Sequence, residues 1–177
     1  MSVCVHVFAS FTWSSSGAVR VVSAFLSKDR YLRWDTFWPF KKKEDLKYRK
    51  ETVWFYLFLR KEGPLYVAHN PLQQLTYTSV YVIGAFQMGI GMALYALPYR
   101  NTSLFWAIMA APNDWFGIPF MRLVHAMIMF LFWGFVIAYI YLAFRADSLE
   151  RHGGVSAMIS GGVWMRRTSK PVDAPEL

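Results

Sequence analysis

The stretch PFMRLVHAMIMFLFWGFVIAYIYLAF, residues 119–144, determines how the rest of the chain is interpreted. A membrane-spanning helix requires about 20 mostly apolar residues, and this stretch is long enough to supply them. After Arg122 it carries no formal charge unless His125 is protonated. Because an ionisable or metal-binding side chain is costly to bury in a spanning helix, His125 is predicted to be functional.

The composition extends this interpretation to the whole chain. Its 177 residues are 55% hydrophobic and 19% aromatic, with a mean hydropathy of +0.25, which is too apolar for a soluble domain of this size. We predict an all-α integral membrane protein, a transmembrane helix bundle with spans at about residues 3–26, 72–97 and 119–144. These spans form one domain, 1–150, followed by a tail at 151–177. Cys4 is the single cysteine, so no disulfide framework and no Cys-x-x-Cys-His site for c-type haem is possible.

The basic residues predict the orientation. Eleven lysines and arginines lie in the loop at 27–70, one lies at 98–118, and five lie from Arg145 onward. The positive-inside rule then puts the 27–70 loop and the C-terminus in the cytoplasm. Interleaved aromatic and basic residues at 27–43 would also suit nucleic acid. Directly after a span they favour membrane lipid instead, so no nucleic-acid partner is expected.

Two shorter features leave alternatives open. The first span could be a signal peptide, although it lacks the basic start that such a peptide needs. The segment at 46–61 is too short to span, so it is either an interfacial helix on the cytoplasmic face or an element packed on a partner subunit. Residues 98–118 are predicted to form a short aromatic turn at the outer interface.

The second span begins with a capping signal and carries a stripe of small residues. Asn70 suits the N-cap, and Pro71 suits the first helical position. Gly84 and Gly91 lie two turns apart on one face. Such a stripe lets either another helix or a flat cofactor approach the backbone, and both uses stay open.

His6 and His125 are predicted to lie at similar depth. With the N-terminus outside, the first and third spans run in the same direction, and an Ala-Phe pair follows each histidine at Ala24 and Ala143. Two facing imidazoles suit the iron of a haem, and filling both axial positions leaves a site that passes electrons. Alternatively, each histidine makes only a helix–helix hydrogen bond.

Two further ligand questions concern zinc and Arg122. Zinc is disfavoured because no cysteine or carboxylate lies at the depth of the two histidines. Arg122, one turn before His125, is either a partner for a haem propionate or an interfacial cation.

Six segments, in this order and spacing, resemble the b-type cytochrome subunit of membrane-bound nickel–iron hydrogenases, which is related to that of formate dehydrogenases. They are RVVSAF at 20–25 with DRY at 29–31, WFYLFL at 54–59, HNPLQ at 69–73, IYLAFRAD at 140–147 and VSAMISG at 155–161.

The resemblance implies a four-span family with an outer haem held by its second and fourth helices and, in its fuller form, a second, inner haem. His6 and His125 match the two outer-haem positions. Tyr139 stands where the family has the inner-haem histidine of its last helix, and the family's first helix has no counterpart here. The resemblance therefore implies one haem b, and we expect either a truncated start or a three-span variant.

The implied function is electron transfer. The chain would anchor a periplasmic hydrogenase, with its iron–sulfur small subunit and nickel–iron large subunit, in the bacterial inner membrane. It would pass electrons from the small subunit to quinone in the respiratory chain, with no hydrogen-activating site of its own. The alternatives are a cytochrome subunit of a formate dehydrogenase-like oxidoreductase and a membrane anchor without a cofactor.

Overall fold

The computed structural model describes residues 2–28, 33–34, 43–60, 63–66, 70–150, 154–162 and 171–172. Within these ranges all regular secondary structure is helical, which confirms the predicted all-α class. The helices are α1 (Ser2–Leu26), α2 (Lys43–Tyr56), α3 (Pro71–Tyr95), a 3₁₀ turn (Leu97–Tyr99), α4 (Leu104–Ala110), α5 (Pro112–Phe116), α6 (Ile118–Glu150) and α7 (Gly154–Ser160). Parts of the predicted loop at 27–70 and tail at 151–177 lie outside the described residues.

Two of the described helices are long and apolar enough to cross a membrane: α3, over Pro71–Tyr95, and α6, over Ile118–Leu149. Helix α1 has 25 residues but is not one of them, because its serine run and Arg20 lower its hydropathy. The first predicted span, at residues 3–26, therefore stays a prediction. Helix α6 continues beyond the predicted end at residue 144, whereas α3 ends at Tyr95 rather than at residue 97.

The apolar surface of α6 is left uncovered by the chain itself. None of its most apolar window is buried, and Phe130, Trp133 and Ile137 are 69%, 62% and 64% exposed. A helix that is apolar all round requires lipid or another protein around it. The exposed apolar side chains of α6 are therefore suited to contact with membrane lipid.

The chain forms two compact units. The first comprises Met1–Val21 and Ser79–Phe135, and the second comprises Val22–Thr78 and Val136–Leu177. In the first unit, α3 and α6 pack through a core of Ile90, Ala93 and Met121.

The segment at 98–118 of the first unit is more structured than the predicted turn, since it contains the 3₁₀ turn, α4 and α5. Asn113, which is 4% exposed, holds this segment in place: its Nδ2 donates to the carbonyls of Ala93 (2.7 Å) and Ala110 (2.9 Å). Gly117 ends α5 with φ +81°, a conformation that costs glycine little, and so allows the turn into α6.

An ion pair reinforces this segment. Arg100 donates from two guanidinium nitrogens to the carboxylate of Asp114, at 2.7 and 2.6 Å. The hydrogen bond to Asp114 raises the pKa of Arg100. An arginine side chain is charged at physiological pH even without such a bond, so the shift does not change its charge.

The second unit shows how α3 begins. Asn70 Oδ1 accepts from the backbone N–H of Gln73 (2.8 Å), and Gln73 Oε1 accepts from the N–H of Asn70 (3.1 Å). This reciprocal capping satisfies two backbone donors that a helix start leaves free. The predicted N-cap at Asn70, with Pro71 at the first helical position, is thus confirmed.

Helix α2 ends sooner than the predicted interfacial helix at 46–61, because Phe58 adopts φ +66°. That conformation is strained for a bulky side chain and persists where the surroundings hold it. Arg145 supplies such a hold. Its guanidinium carbon lies 4.1 Å from the Phe58 ring centroid and 5.0 Å from that of Phe55, and its Nη2 donates to the Phe55 carbonyl (3.2 Å).

Candidate functional site: a pair of imidazoles

The structure brings together the two histidines that depth matching singled out. His6 on α1 and His125 on α6 both belong to the first unit, and their ring centroids are 6.1 Å apart with ring planes at 79°. His6 is exposed, whereas His125 is half-buried. Their roles as ligands stay a prediction, but their proximity is a property of this fold.

A cavity of about 120 Å³ adjoins the pair. Segments of three helices of the first unit line it. The polar lining residues are His6, Ser10 and Ser14 of α1, Gln87 of α3 and His125 of α6, whereas others, such as Val7, Phe11 and Met92, are apolar. A mostly apolar lining with a few polar groups is the general character of cofactor and ligand sites.

Three of the residues that line this cavity each carry a buried polar atom without a hydrogen-bond partner among the described residues. The atoms are Ser14 Oγ, Gln87 Oε1 and His125 Nδ1. Buried polar groups in folded proteins nearly always find a partner, so three unsatisfied atoms in one cavity indicate a place for a polar ligand or for water.

The two glycines of the predicted stripe have different neighbours. A Cβ added at Gly84 would lie 2.6 Å from Trp13 Cη2, so this glycine makes room for an indole of α1 and serves helix packing. A Cβ added at Gly91 would lie 3.2 Å from His125 Cε1. Gly91 therefore lets the candidate ligand of α6 lie against α3. Each glycine thus makes room for a side chain of another helix, and the approach of a flat cofactor stays a prediction.

Arg122 is exposed and is not among the residues that line the cavity, so its predicted contact with a haem propionate stays a prediction. Tyr139 lies in the second unit, where its hydroxyl is 3.3 Å from that of Tyr77.

Sequence reasoning missed Ser14 and Gln87. The available signal for Gln87 was its position, since it is an amide within an apolar span and one turn before Gly91.

The donor set can be tested against a metal cofactor. Within the described ranges, no three His, Cys, Asp or Glu side chains are close enough together to hold a metal ion by themselves. Two imidazoles can instead fill the axial positions of a macrocycle that supplies the other ligands. Two metal–nitrogen bonds of about 2 Å each, extended to the ring centres, give roughly 6 Å, and the observed separation is 6.1 Å.

The residues therefore fit a haem iron by donor type and by separation.

Comparison with known proteins gives a consistent result. The family model described as prokaryotic cytochrome b561 matches residues 1–161. A probable Ni/Fe-hydrogenase B-type cytochrome subunit of Azotobacter vinelandii is 36% identical over 118 residues, covering 62% of this chain and 46% of that protein. Its counterpart in Bradyrhizobium diazoefficiens is 29% identical over 148 residues, covering 80% and 58%. No solved structure matches the chain.

A more distant relative is the probable Ni/Fe-hydrogenase 1 B-type cytochrome subunit of Escherichia coli K12. It is 28% identical over 123 residues, covering 62% of this chain and 49% of that protein. The chain spans about half the length of the curated relatives it matches.

The family match includes both histidines and every helix described above, and it confirms the resemblance inferred from the sequence. The chain belongs to the prokaryotic cytochrome b561 family.

Proposed function

We propose that this chain is the haem b membrane subunit of a nickel–iron hydrogenase. It anchors a periplasmic hydrogenase in the bacterial inner membrane and passes electrons from the iron–sulfur small subunit to quinone. The observation that carries the proposal is the pair of imidazoles 6.1 Å apart in a chain of this family. The printed names of the relatives, B-type cytochrome subunits of Ni/Fe-hydrogenases, support the choice of partner.

In this proposal the chain's own residues bind and orient the cofactor. His6 and His125 would hold the haem iron, and Gly91 lets the imidazole of His125 lie against α3. The haem would supply one-electron oxidation and reduction. In this proposal hydrogen is oxidised on the large subunit, and this chain only transfers the electrons.

The chain crosses the membrane three times, with its C-terminus in the cytoplasm. The approach of α1 to α6 at the two histidines supports α1 as a membrane span in addition to α3 and α6. The excess of basic residues at 27–70 and from Arg145 onward supports the orientation. The contacts of Arg145 with Phe55 and Phe58 tie the end of α2 to the basic end of α6, which supports α2 as an interfacial helix on the cytoplasmic side.

One haem b is expected per chain, because Tyr139 occupies the position at which the resembling family has an inner-haem histidine. The fourteen residues between His125 and Tyr139 correspond to about 21 Å of helix. Without a second haem, quinone is reduced close to the pair His6 and His125, or a partner supplies the missing step across the membrane.

The test is to purify the chain in complex with the small and large hydrogenase subunits. We expect about one haem b per chain, a single redox transition and hydrogen-dependent quinone reduction. Two resolved transitions would refute the single-haem version. Absence of a reduced-minus-oxidised haem spectrum would favour the cofactor-free anchor, and formate-dependent rather than hydrogen-dependent reduction would favour the formate dehydrogenase relationship.

A further inference from the structure

Gln87 connects α3 to α6 at the position of the candidate ligand. Its Nε2 donates to the backbone carbonyl of His125 at 2.9 Å, a contact between residues 38 apart in the chain. Gln87 lies one turn before Gly91, against which the His125 ring packs. The amide therefore holds the helical turn that carries His125, on the face of α3 where the imidazole lies.

One ring nitrogen of His125, Nδ1, is buried and has no hydrogen-bond partner among the described residues. We take the other ring nitrogen, Nε2, as the one that binds the iron. A metal-bound histidine almost always donates its other ring N–H to an acceptor, which fixes its orientation and raises its basicity.

The same cavity holds a matching acceptor. Gln87 lines the cavity, and its Oε1 is buried without a hydrogen-bond partner among the described residues. The hydroxyl of Ser10, another lining residue, already donates to the carbonyl of His6 at 2.7 Å. Two residues that line one cavity thus carry an unpartnered ring nitrogen and an unpartnered amide oxygen, and the amide is already bonded to the backbone of His125.

We propose that Gln87 is the positioning residue of His125. The Nε2 of Gln87 donates to the backbone carbonyl of His125. The Oε1 of Gln87 accepts from the Nδ1–H of His125 when the Nε2 of His125 binds the haem iron. This inference rests on the proposed function.

The hydrogen bond from Nδ1–H makes the imidazole a stronger electron donor and so stabilises ferric over ferrous iron. Its presence therefore lowers the midpoint potential of the haem. Removing the acceptor raises this potential, and replacing it with a carboxylate lowers it further. Opposite shifts in two variants at one position are a result that a purely structural role would not produce.

The experiment compares Gln87→Leu and Gln87→Glu in the purified complex by spectroelectrochemical titration, under alkaline conditions in which the introduced carboxyl is ionised. We expect the Leu variant to shift the potential upward and the Glu variant to shift it downward. Each tenfold change in the preference for ferric over ferrous iron corresponds to about 59 mV. We also expect haem to bind about 10- to 100-fold more weakly in the Leu variant, as for other partners of metal-bound histidines.

The matched control is Phe86→Leu, which changes the preceding residue of α3 at a side chain that is 61% exposed and does not line this cavity. Its potential should equal that of the unchanged chain. Shifts of Gln87→Leu and Gln87→Glu in one direction, or no shift in either, would overturn the proposal. If Gln87→Leu does not assemble, the Glu variant decides: a downward shift supports the proposal and an unchanged potential overturns it. Absence of haem from the unchanged complex would instead refute the proposed function.

Discussion

Two polar side chains of helix α6, His125 and Tyr139, have different surroundings. His125, in the first unit, borders a cavity, and its buried Nδ1 has no hydrogen-bond partner among the described residues. Tyr139, in the second unit, has its hydroxyl 3.3 Å from that of Tyr77, with ring centroids 6.3 Å apart. Hydropathy alone would flag both residues. Only the histidine combines an unsatisfied polar atom with adjoining space, and that combination distinguishes a candidate ligand site from a polar contact between helices.

The largest expected effect is that of His125→Ala. Because iron would lose one of its two axial ligands, we expect haem content per chain to fall to background and hydrogen-dependent quinone reduction to be abolished. Haem extraction with spectral quantification measures the first effect. Tyr139→Ala, on the same helix, is the control and should retain its haem. Equal haem content in His125→Ala and Tyr139→Ala would contradict the assignment of His125 as a haem ligand.

Gly84→Ala should have the next largest effect, on stability rather than on the cofactor. Its Cβ would lie 2.6 Å from Trp13 Cη2, so the indole must shift, and overpacking of this kind costs about 1 to 3 kcal/mol. Thermal unfolding in detergent measures the loss. Gly134→Ala is the control, since its Cβ would meet nothing within 4 Å. An unchanged unfolding temperature would contradict the packing role of Gly84.

Gly91→Ala should affect cofactor binding more than stability. Its Cβ would lie 3.2 Å from His125 Cε1, a contact that a displacement of a few tenths of an ångström relieves. Displacing the candidate ligand at a cost of about 1 kcal/mol weakens haem retention roughly fivefold. Retention is measured as the fraction of haem kept during transfer to apomyoglobin. Gly89→Ala, whose Cβ would meet nothing within 4 Å, should behave as the unchanged chain. Equal retention by both variants would show that Gly91 does not position His125.

Tyr139→Phe should have the smallest effect. It removes the hydroxyl contact with Tyr77, and side-chain hydrogen bonds between membrane helices average about 0.6 kcal/mol. Haem content and midpoint potential should be unchanged, while resistance to unfolding by sodium dodecyl sulfate should fall slightly. A shifted midpoint potential would show that the Tyr139 hydroxyl affects the haem, contrary to the prediction that only His125 does so.

The parts of the fold that local patterns control could be predicted. The start of α3 is one, because Asn70, Pro71 and Gln73 are adjacent and their hydrogen bonds are local. Two other features of the helices were not predicted, because they depend on contacts between residues distant in the chain. The end of α2 depends on the backbone of Phe58 and its contact with Arg145. The position of α4 and α5 depends on the hydrogen bond from Asn113 to the carbonyl of Ala93.

The candidate site divides in the same way. Depth matching identified His6 and His125 because the position of a residue along a spanning helix follows from counting. It could not show that Gln87 bonds to His125 or that Ser14 lines the same cavity, since those contacts depend on how each helix is rotated toward its neighbours. In a membrane, packing against neighbouring helices sets that rotation.

The sequence by itself therefore determined the two apolar spans, the start of α3 and the candidate pair of imidazoles, because hydropathy, capping and spacing are properties of neighbouring residues. The tertiary structure alone decided that Gly84 accommodates an indole, that Gly91 borders His125 and that Tyr139 meets Tyr77. These outcomes come from close packing between segments distant in the chain, where the shapes of both surfaces determine which side chains meet.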